Sequence, residues 1–154
     1  METKIISGIL QRLNLNAFLI SSVPEKADTG QIFKSLSQSQ INIEFVSQVP
    51  LDNGYSHIIL CVDRSNRSSA FTELEKLKPI ISARKIISLH KVGILSIFPH
   101  KEHAFIINKI IRSLSLENIP VLAMGNSLSS ISCVINEEKV PDAIRQLSNE
   151  FGLI

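Results

Sequence analysis

The sequence predicts an α+β protein made of two copies of one unit, each ordered strand, helix, strand, strand, helix. Three observations carry the prediction. First, Ile32-Phe33-Lys34-Ser35-Leu36-Ser37 recurs as Ile110-Ile111-Arg112-Ser113-Leu114-Ser115: apolar, apolar, cation, Ser, Leu, Ser. Second, the match continues in order. Ile41-Asn42-Ile43 answers Ile119-Pro120-Val121, Val46 answers Met124, and Gln48 answers Asn126. After a shorter hairpin, Ile58, Leu60 and Val62 answer Ile131, Cys133 and Ile135, and Ala70, Phe71 and Leu74 answer Ala143, Ile144 and Leu147. A repeat this long in a short chain means two supersecondary units. Third, 154 residues with 44% hydrophobic and 19% charged side chains are globular in composition and long enough for two small modules.

The first unit opens with the apolar run Ala17 to Ser22, a strand. Asp28 then caps a helix, with Gln31 placed to close a capping box. Ile32, Phe33 and Leu36 line the inner face of that helix. Ile41, Ile43 and Phe45 alternate with Asn42 and Glu44, as a half-buried strand does. Asp52-Asn53-Gly54 turns the chain into the strand Tyr55 to Val62. Ala70, Phe71, Leu74 and Leu77 fall at helical spacing, Pro79 ends that helix, and Ile86 to Leu89 form a fourth strand.

The second unit starts with the strand Val92 to Phe98. A helix follows with Phe105, Ile106, Ile110 and Leu114 inside, then strands Ile119 to Met124 and Ser130 to Ile135. The last helix carries Val140, Ile144, Leu147 and Phe151, with Pro141 in its first turn, where proline is tolerated. This unit has no fourth strand of its own, and the N-terminal segment Lys4 to Ile9 is β-like and unassigned. The expectation is that this strand completes the second sheet, so residues 10–90 form the first module and residues 1–9 with 91–154 the second. The order βαββαβ is the ferredoxin-like sandwich, an antiparallel sheet with its helices on one face.

Composition excludes several classes. A net charge of +2 lacks the basic face of a nucleic-acid binder, and 5% aromatics without Trp offer little for base stacking. The apolar runs are too short for a membrane span, and the N-terminus lacks the pattern of a signal peptide. Cys61 and Cys133 sit in apolar runs, outside any Cys-x-x-Cys spacing, and read as reduced buried thiols. A soluble cytoplasmic protein without membrane or nucleic-acid partners is expected.

Catalytic signatures are absent: no phosphate loop, no Gly-x-Gly-x-x-Gly, no Gly-x-Ser-x-Gly, no His-Glu-x-x-His. His100-Lys101-Glu102-His103 reads as a solvated loop, so no metal and no cofactor is expected. Glu137-Glu138 reads as the start of the last helix, where the macrodipole favours carboxylates. A small ferredoxin-like hydrolase of acyl phosphates would need a positioned Arg and Asn on a phosphate loop, which the sequence does not show. Three places carry two readings each. The segment Pro24-Glu25-Lys26-Ala27-Asp28 is either a plain connection or a helix start whose N–H groups hold a ligand carboxylate. Asn42, Glu44 and Gln48 either bind a ligand amino group or face water. Gly125-Asn126-Ser127, at the position matching Gln48 in the second unit, is either a hairpin turn or part of the ligand-binding set.

At these residues the sequence resembles tandem ACT domains, and most closely the C-terminal regulatory region of aspartate kinase. Ile6-Ser7-Gly8-Ile9 resembles that region's opening Val-x-Gly-Ile strand. Ile41-Asn42-Ile43-Glu44-Phe45-Val46-Ser47-Gln48 resembles its Ile-Asn-Ile/Val-Asp-Met-Ile-x-Gln strand. Lys91-Val92-Gly93-Ile94-Leu95-Ser96 resembles the opening of its second module. Ile131-Ser132-Cys133-Val134-Ile135-Asn136-Glu137-Glu138 and Phe151-Gly152-Leu153 resemble its close. Two departures stand out. Pro24-Glu25-Lys26-Ala27 replaces an Asp-x-Pro-Gly, and Pro120 and Leu128 replace an Asn and a Glu.

The resemblance implies a regulatory region without catalytic residues, in which a homodimer binds a small amino acid of the lysine or threonine class at an inter-chain seam. Aspartate phosphorylation would then belong to a kinase domain or subunit that this region partners. The departures leave a second reading, a degenerate tandem ACT protein that dimerises or docks without an effector.

Overall fold

The computed structural model describes residues 6–99, 105–127 and 129–152. His100 to His103 and Leu128 therefore lie outside the described residues. The elements are β1 (Ile6–Pro24), α1 (Gly30–Gln38), β2 (Ile43–Pro50), β3 (Tyr55–Asp63), α2 (Arg67–Leu77), β4 (Lys85–Pro99), α3 (Ile106–Leu116), β5 (Ala123–Asn126), β6 (Ile131–Asn136) and α4 (Val140–Phe151). Single 3₁₀ turns, Arg64–Asn66 and Glu137–Lys139, lead into α2 and α4. The chain divides into a terminal unit, Met1–Leu13 with Val92–Ile154, and an inserted unit, Asn14–Lys91.

Each unit is a sheet with two helices on one face. In the inserted unit the strand order is β2-β3-β1-β4, and in the terminal unit β1-β4-β6-β5, so β1 and β4 serve both. The core of the inserted unit joins Phe18, Ile20 and Val23 of β1 to Ile58, Leu60 and Val62 of β3, under Ile32 and Leu36 of α1 and Ala70 and Leu74 of α2. The terminal core joins Leu95 and Ile97 to Ile131, Cys133 and Ile135, under Ile110 and Leu114 of α3 and Ala143 and Leu147 of α4. This burial is the alternation of half-covered strands meeting the three-to-four spacing of helices.

Strand register reproduces the sequence repeat. Val46 pairs with Leu60 and Gln48 with Ile58; Met124 pairs with Cys133 and Asn126 with Ile131. The helix exits match as well. After α1, the Gln40 N–H donates to Ser37 O at 2.9 Å and the Ile41 N–H to Leu36 O at 2.9 Å. After α3, the Asn118 N–H donates to Ser115 O at 3.0 Å and the Ile119 N–H to Leu114 O at 3.0 Å. Both are Schellman stops, with Gln40 (φ 56°) and Asn118 (φ 55°) in the left-handed region. In each, the residue after the stop, Ile41 or Ile119, is buried against the Leu whose carbonyl it caps.

Several local expectations differ from the structure. The segment expected at Lys4 to Ile9, whose Lys4 and Ile5 lie outside the described residues, joins from Ile6 on with Ala17 to Ser22 in one continuous strand, β1, and the segments Ile86 to Leu89 and Val92 to Phe98 are one strand, β4. Left-handed residues, Asn14 (φ 60°) and Lys91 (φ 53°), interrupt the alternation of both and disguise their continuity. β5 begins only at Ala123, although the Leu122 N–H just before it already donates to Val134 O at 2.8 Å. Phe105 precedes α3 and is 61% exposed, not inside it.

One matching position is filled differently in the two units. Gly93, opposite Ile135, lies beneath Val140, where an added Cβ would come 2.8 Å from Val140 Cγ2 and 3.2 Å from Arg12 O. Its counterpart Asn16, opposite Val62, is buried and donates from Nδ2 to Ser88 Oγ at 3.1 Å. There the helix offers Arg67, which turns out to His90 Nε2 at 3.0 Å.

Two stability outcomes follow from these contacts. Gly93→Ala should cost about 1–3 kcal/mol in urea unfolding, because the backbone at Arg12 limits relaxation. Val140→Ala in the same chain should recover part of it. Gln40→Gly should stabilise by about 1 kcal/mol, and Asn118→Gly by less, since Asn tolerates the left-handed region better than Gln. Equal gains at both positions would contradict the assignment of strain to Gln40.

Candidate functional site

The loop before α1 is built by an irregularity in β1. Ile20 pairs with Ile58, but Val23 pairs with Ser56, so β1 carries one more residue than β3 between these pairs. The extra residue changes the side-chain phase, and Val23 rather than Ser22 enters the core. Ser22 is left-handed, φ 51°, and its N–H donates to His57 Nδ1 at 3.0 Å. Ser21 O accepts the Arg84 N–H at 2.9 Å.

From there the loop folds on itself. Glu25 N–H donates to Gly54 O at 3.0 Å, Ala27 N–H to Pro24 O at 3.0 Å and Thr29 N–H to Ala27 O at 3.1 Å. Asp28 Oδ1 accepts the Gly30 N–H at 3.1 Å, so the expected Asp28 carboxylate does serve the helix start, although the cap position itself is Thr29. Gln31 supplies its backbone N–H to Asp28 O at 3.2 Å, and no side-chain bond closes a capping box among the described residues. The backbone N–H groups of Lys26 and Asp28 carry no bond among the described residues. Glu25, Lys26 and Asp28 are exposed, while Pro24 and Ala27 are half-buried.

The polar residues around β2 separate into two places. Asn42 Nδ2 donates to Glu44 Oε1 at 3.1 Å near the start of β2. Gln48 Nε2 donates to Ser56 Oγ at 3.4 Å toward its other end. Ile43 pairs with Val62, and Pro50 with Ser56, the residue that also pairs with Val23 at the loop. At about 3.3 Å per residue, Asn42 and Glu44 stand roughly 20 Å along the sheet from the loop of their own chain. The structure thus places Gln48 at the loop's end of the sheet, and Asn42 and Glu44 away from it.

Gly125-Asn126-Ser127 belongs to the terminal unit. Gly125 and Asn126 end β5, and Ser127 forms the turn. Its N–H donates to Ser130 O at 2.9 Å, and its Oγ accepts the Ser130 N–H at 3.1 Å. Sequence reasoning did not single out His57 or Ser22; a lone His in a strand opposite a Ser pair has no motif to announce it.

Both cysteines are free and buried. Burial pushes the Cys61 thiol from its ordinary 9.0 to about 12, with the Glu44 carboxylate adding to the shift, and pushes Cys133 to about 11. No group of His, Cys, Asp and Glu among the described residues could hold a metal, and none of the described helices is long and apolar enough to cross a membrane.

These features define the class: a pair of modules of ferredoxin-like fold that share β1 and β4. Along its whole length the chain resembles the regulatory part of aspartate kinase. It is 25% identical over 157 residues to an aspartate kinase of Stutzerimonas stutzeri, a match covering 99% of this chain and 38% of that protein. The regulatory subunit of aspartate kinase from Thermus thermophilus, in its ligand-free form, superposes with a TM-score of 0.86 at 16% identity, over 96% of this chain and 99% of that one. A structure of aspartokinase alpha and beta subunits gives a TM-score of 0.87 at 24% identity, over 96% of this chain and 99% of that one. No family model matches the chain. The chain thus spans 38% of the length of the curated relative it matches.

The thiols supply a test of the burial. Neither should react with a maleimide at pH 8 until the chain unfolds. Because the folded chain keeps thiol protons that the unfolded chain releases above about pH 9, stability is full below that pH. It should fall as pH rises toward about 11, where Cys133 titrates in the fold. Rapid labelling of the native protein, or an unfolding midpoint flat from pH 8.5 to 11, would contradict this placement.

Proposed function

We propose that this chain is an amino-acid-sensing regulatory region of aspartate kinase type. Two copies pair and bind a small amino acid of the lysine or threonine class at the seam between them. The bound amino acid controls an aspartate kinase activity, at the head of aspartate-family biosynthesis, that is carried outside this sequence.

The observation that carries the reading is the division of the candidate residues. The N–H groups of Lys26 and Asp28, in the loop before α1, suit an effector carboxylate. Glu44, with Asn42 beside it, suits an effector ammonium. One chain holds the two sets too far apart for one small molecule, so a second copy would bring its β2 to the first copy's loop. β2 is the edge of its unit, with Val46 45% and Val49 53% exposed, which favours such pairing. The likeness to a regulatory subunit of aspartate kinase supports the same reading. Regulation would follow only from a difference in effector affinity between two arrangements of the copies.

A second reading, pairing or docking without an effector, is favoured by the altered loop and by Ser127, whose hydroxyl is engaged inside its own turn.

Calorimetry and light scattering separate the two. The sensor reading expects a dimer that binds lysine or threonine at micromolar to millimolar concentration. Glu44→Gln should weaken binding about tenfold or more, a typical loss for a charge-assisted bond. Val46→Lys on the β2 edge should yield monomers that bind neither. A dimer indifferent to both amino acids at 10 mM, in about 10-fold excess over a millimolar Kd, would leave the docking reading in place.

A further inference from the structure

We propose that His57 is a positioning residue for the effector loop: its Nδ1 holds the Ser22 N–H at the β1 bulge and thereby sets the direction in which Val23 to Asp28 leave the sheet. This rests on the sensor reading for its functional consequence, though not for its structural one.

The bulge is what the loop depends on. If β1 stayed in phase beyond Ile20, Ser22 would fall toward the core and Val23 away from it. The observed phase buries Val23 completely and turns Pro24 to pair with Tyr55. Reaching that phase requires Ser22 at φ 51°, a conformation an L-residue adopts at a cost. It also takes the Ser22 N–H out of the β1–β3 ladder, since no pair joins the strands between Ile20–Ile58 and Val23–Ser56. A displaced backbone donor of this kind needs another acceptor.

His57 supplies the acceptor. It lies in β3 between the residues that pair on either side of the bulge, Ser56 and Ile58. The Ser22 N–H to Nδ1 distance is 3.0 Å, so the neutral ring carries its proton on Nε2. On the other flank the Ser21 carbonyl is tied to the Arg84 N–H at 2.9 Å. The bulge is thus fixed on both sides, on β3 by a side chain and just before β4 by the Arg84 backbone.

The second unit shows the same position without the device. Ile20 pairs with Ile58 and Ile97 with Ile131, so Ser22 corresponds to Pro99 and His57 to Ser130. Proline has no N–H, so no acceptor is required there. The imidazole is found only where a displaced N–H exists to be held. Among the described residues, Ser22 is held by a side chain, whereas its counterpart Pro99 has no N–H to hold.

The experiment is amide hydrogen exchange by NMR on the full chain, with lysine and threonine titrations alongside. In the native chain the Ser22, Ala27 and Gly30 amides should be protected. His57→Ala should speed Ser22 exchange by about tenfold or more, the loss of one hydrogen bond. Ala27 and Gly30 should follow, with Leu60 and Leu74 unchanged to show the core intact. His57→Asn, whose Oδ1 can accept from a similar position, should restore protection, which a merely space-filling role for the ring would not do. A measurement on the native chain covers a variant that does not fold: a scalar coupling across the hydrogen bond should join the Ser22 N–H to Nδ1. The proposal is overturned by a missing coupling, by a Ser22 amide still protected in His57→Ala, or by Ala27 and Gly30 exchanging as before once Ser22 is free. Where lysine or threonine binds the native chain, His57→Ala should weaken it about tenfold while His57→Asn does not. Absence of binding by the native chain sinks the sensor reading, and the amides still decide the clamp.

Discussion

A β-strand shows its side chains to alternate faces, so a strand can fill a core only while it keeps phase, and one extra or left-handed residue sends every later side chain to the other face. The fold of this chain turns on three places where that phase changes. In β1, Ile9 packs against the terminal core while Phe18 and Ile20 enter the inserted core, at an odd separation. In β4, Ile86 belongs to one core and Leu95 and Ile97 to the other, again at odd separations. Asn14 and Lys91 lie between, both left-handed and both at the limits of the inserted unit. The third change, at Ser22, creates the loop before α1. Both strands thus give side chains to two cores.

Left-handed L-residues cost free energy, and the chain offsets that cost in different ways. Asn14 uses a residue type that tolerates the conformation. Gln40 and Asn118 are held by paired helix-stop hydrogen bonds and by the burial of the following Ile. Ser22 is held by an imidazole. The repeat therefore extends beyond sequence pattern to backbone strain, since Gln40 and Asn118 are matching positions with nearly the same φ. It stops at Ser22, whose counterpart Pro99 has no N–H to hold.

This division explains what could be read from the sequence. Apolar residues at matched spacing mark the cores, and Ile58, Leu60 and Val62 and their counterparts Ile131, Cys133 and Ile135 are buried as their pattern implies. The cysteines are legible for the same reason. The continuity of β1 was hidden because Asn14 shifts its phase, and a phase shift reads as a break. Phe105 follows an apolar spacing but sits a residue ahead of α3, outside the helical geometry that would turn it inward. Of the candidate site, the sequence shows residue types: carboxamides, a carboxylate, a helix start. It does not show that Asn42 and Glu44 lie at the end of β2 away from the loop, because that depends on strand direction. It does not show the His57 contact either, which depends on a bulge with no sequence signature.

The same geometry constrains any function assigned to the loop. A ligand that meets only the Lys26 and Asp28 N–H groups gains two hydrogen bonds on an exposed turn, each worth about 1 kcal/mol net. That is too little to bind an amino acid at cellular concentrations. Affinity requires the ammonium to find an acceptor as well, and within one chain Asn42 and Glu44 are out of reach. Under the sensor proposal, binding and association of copies would be one equilibrium, in which each stabilises the other to the same extent. On the proposed reading, the amino acid would regulate by changing which surfaces the pair presents. The stiffness of the loop becomes part of the affinity. A loop that wandered would lose ordering entropy on every binding event, whereas one held at Ser22 and Ser21 has lost much of it on folding. The bulge that gives Val23 to the core is thus also what keeps the two N–H groups in place.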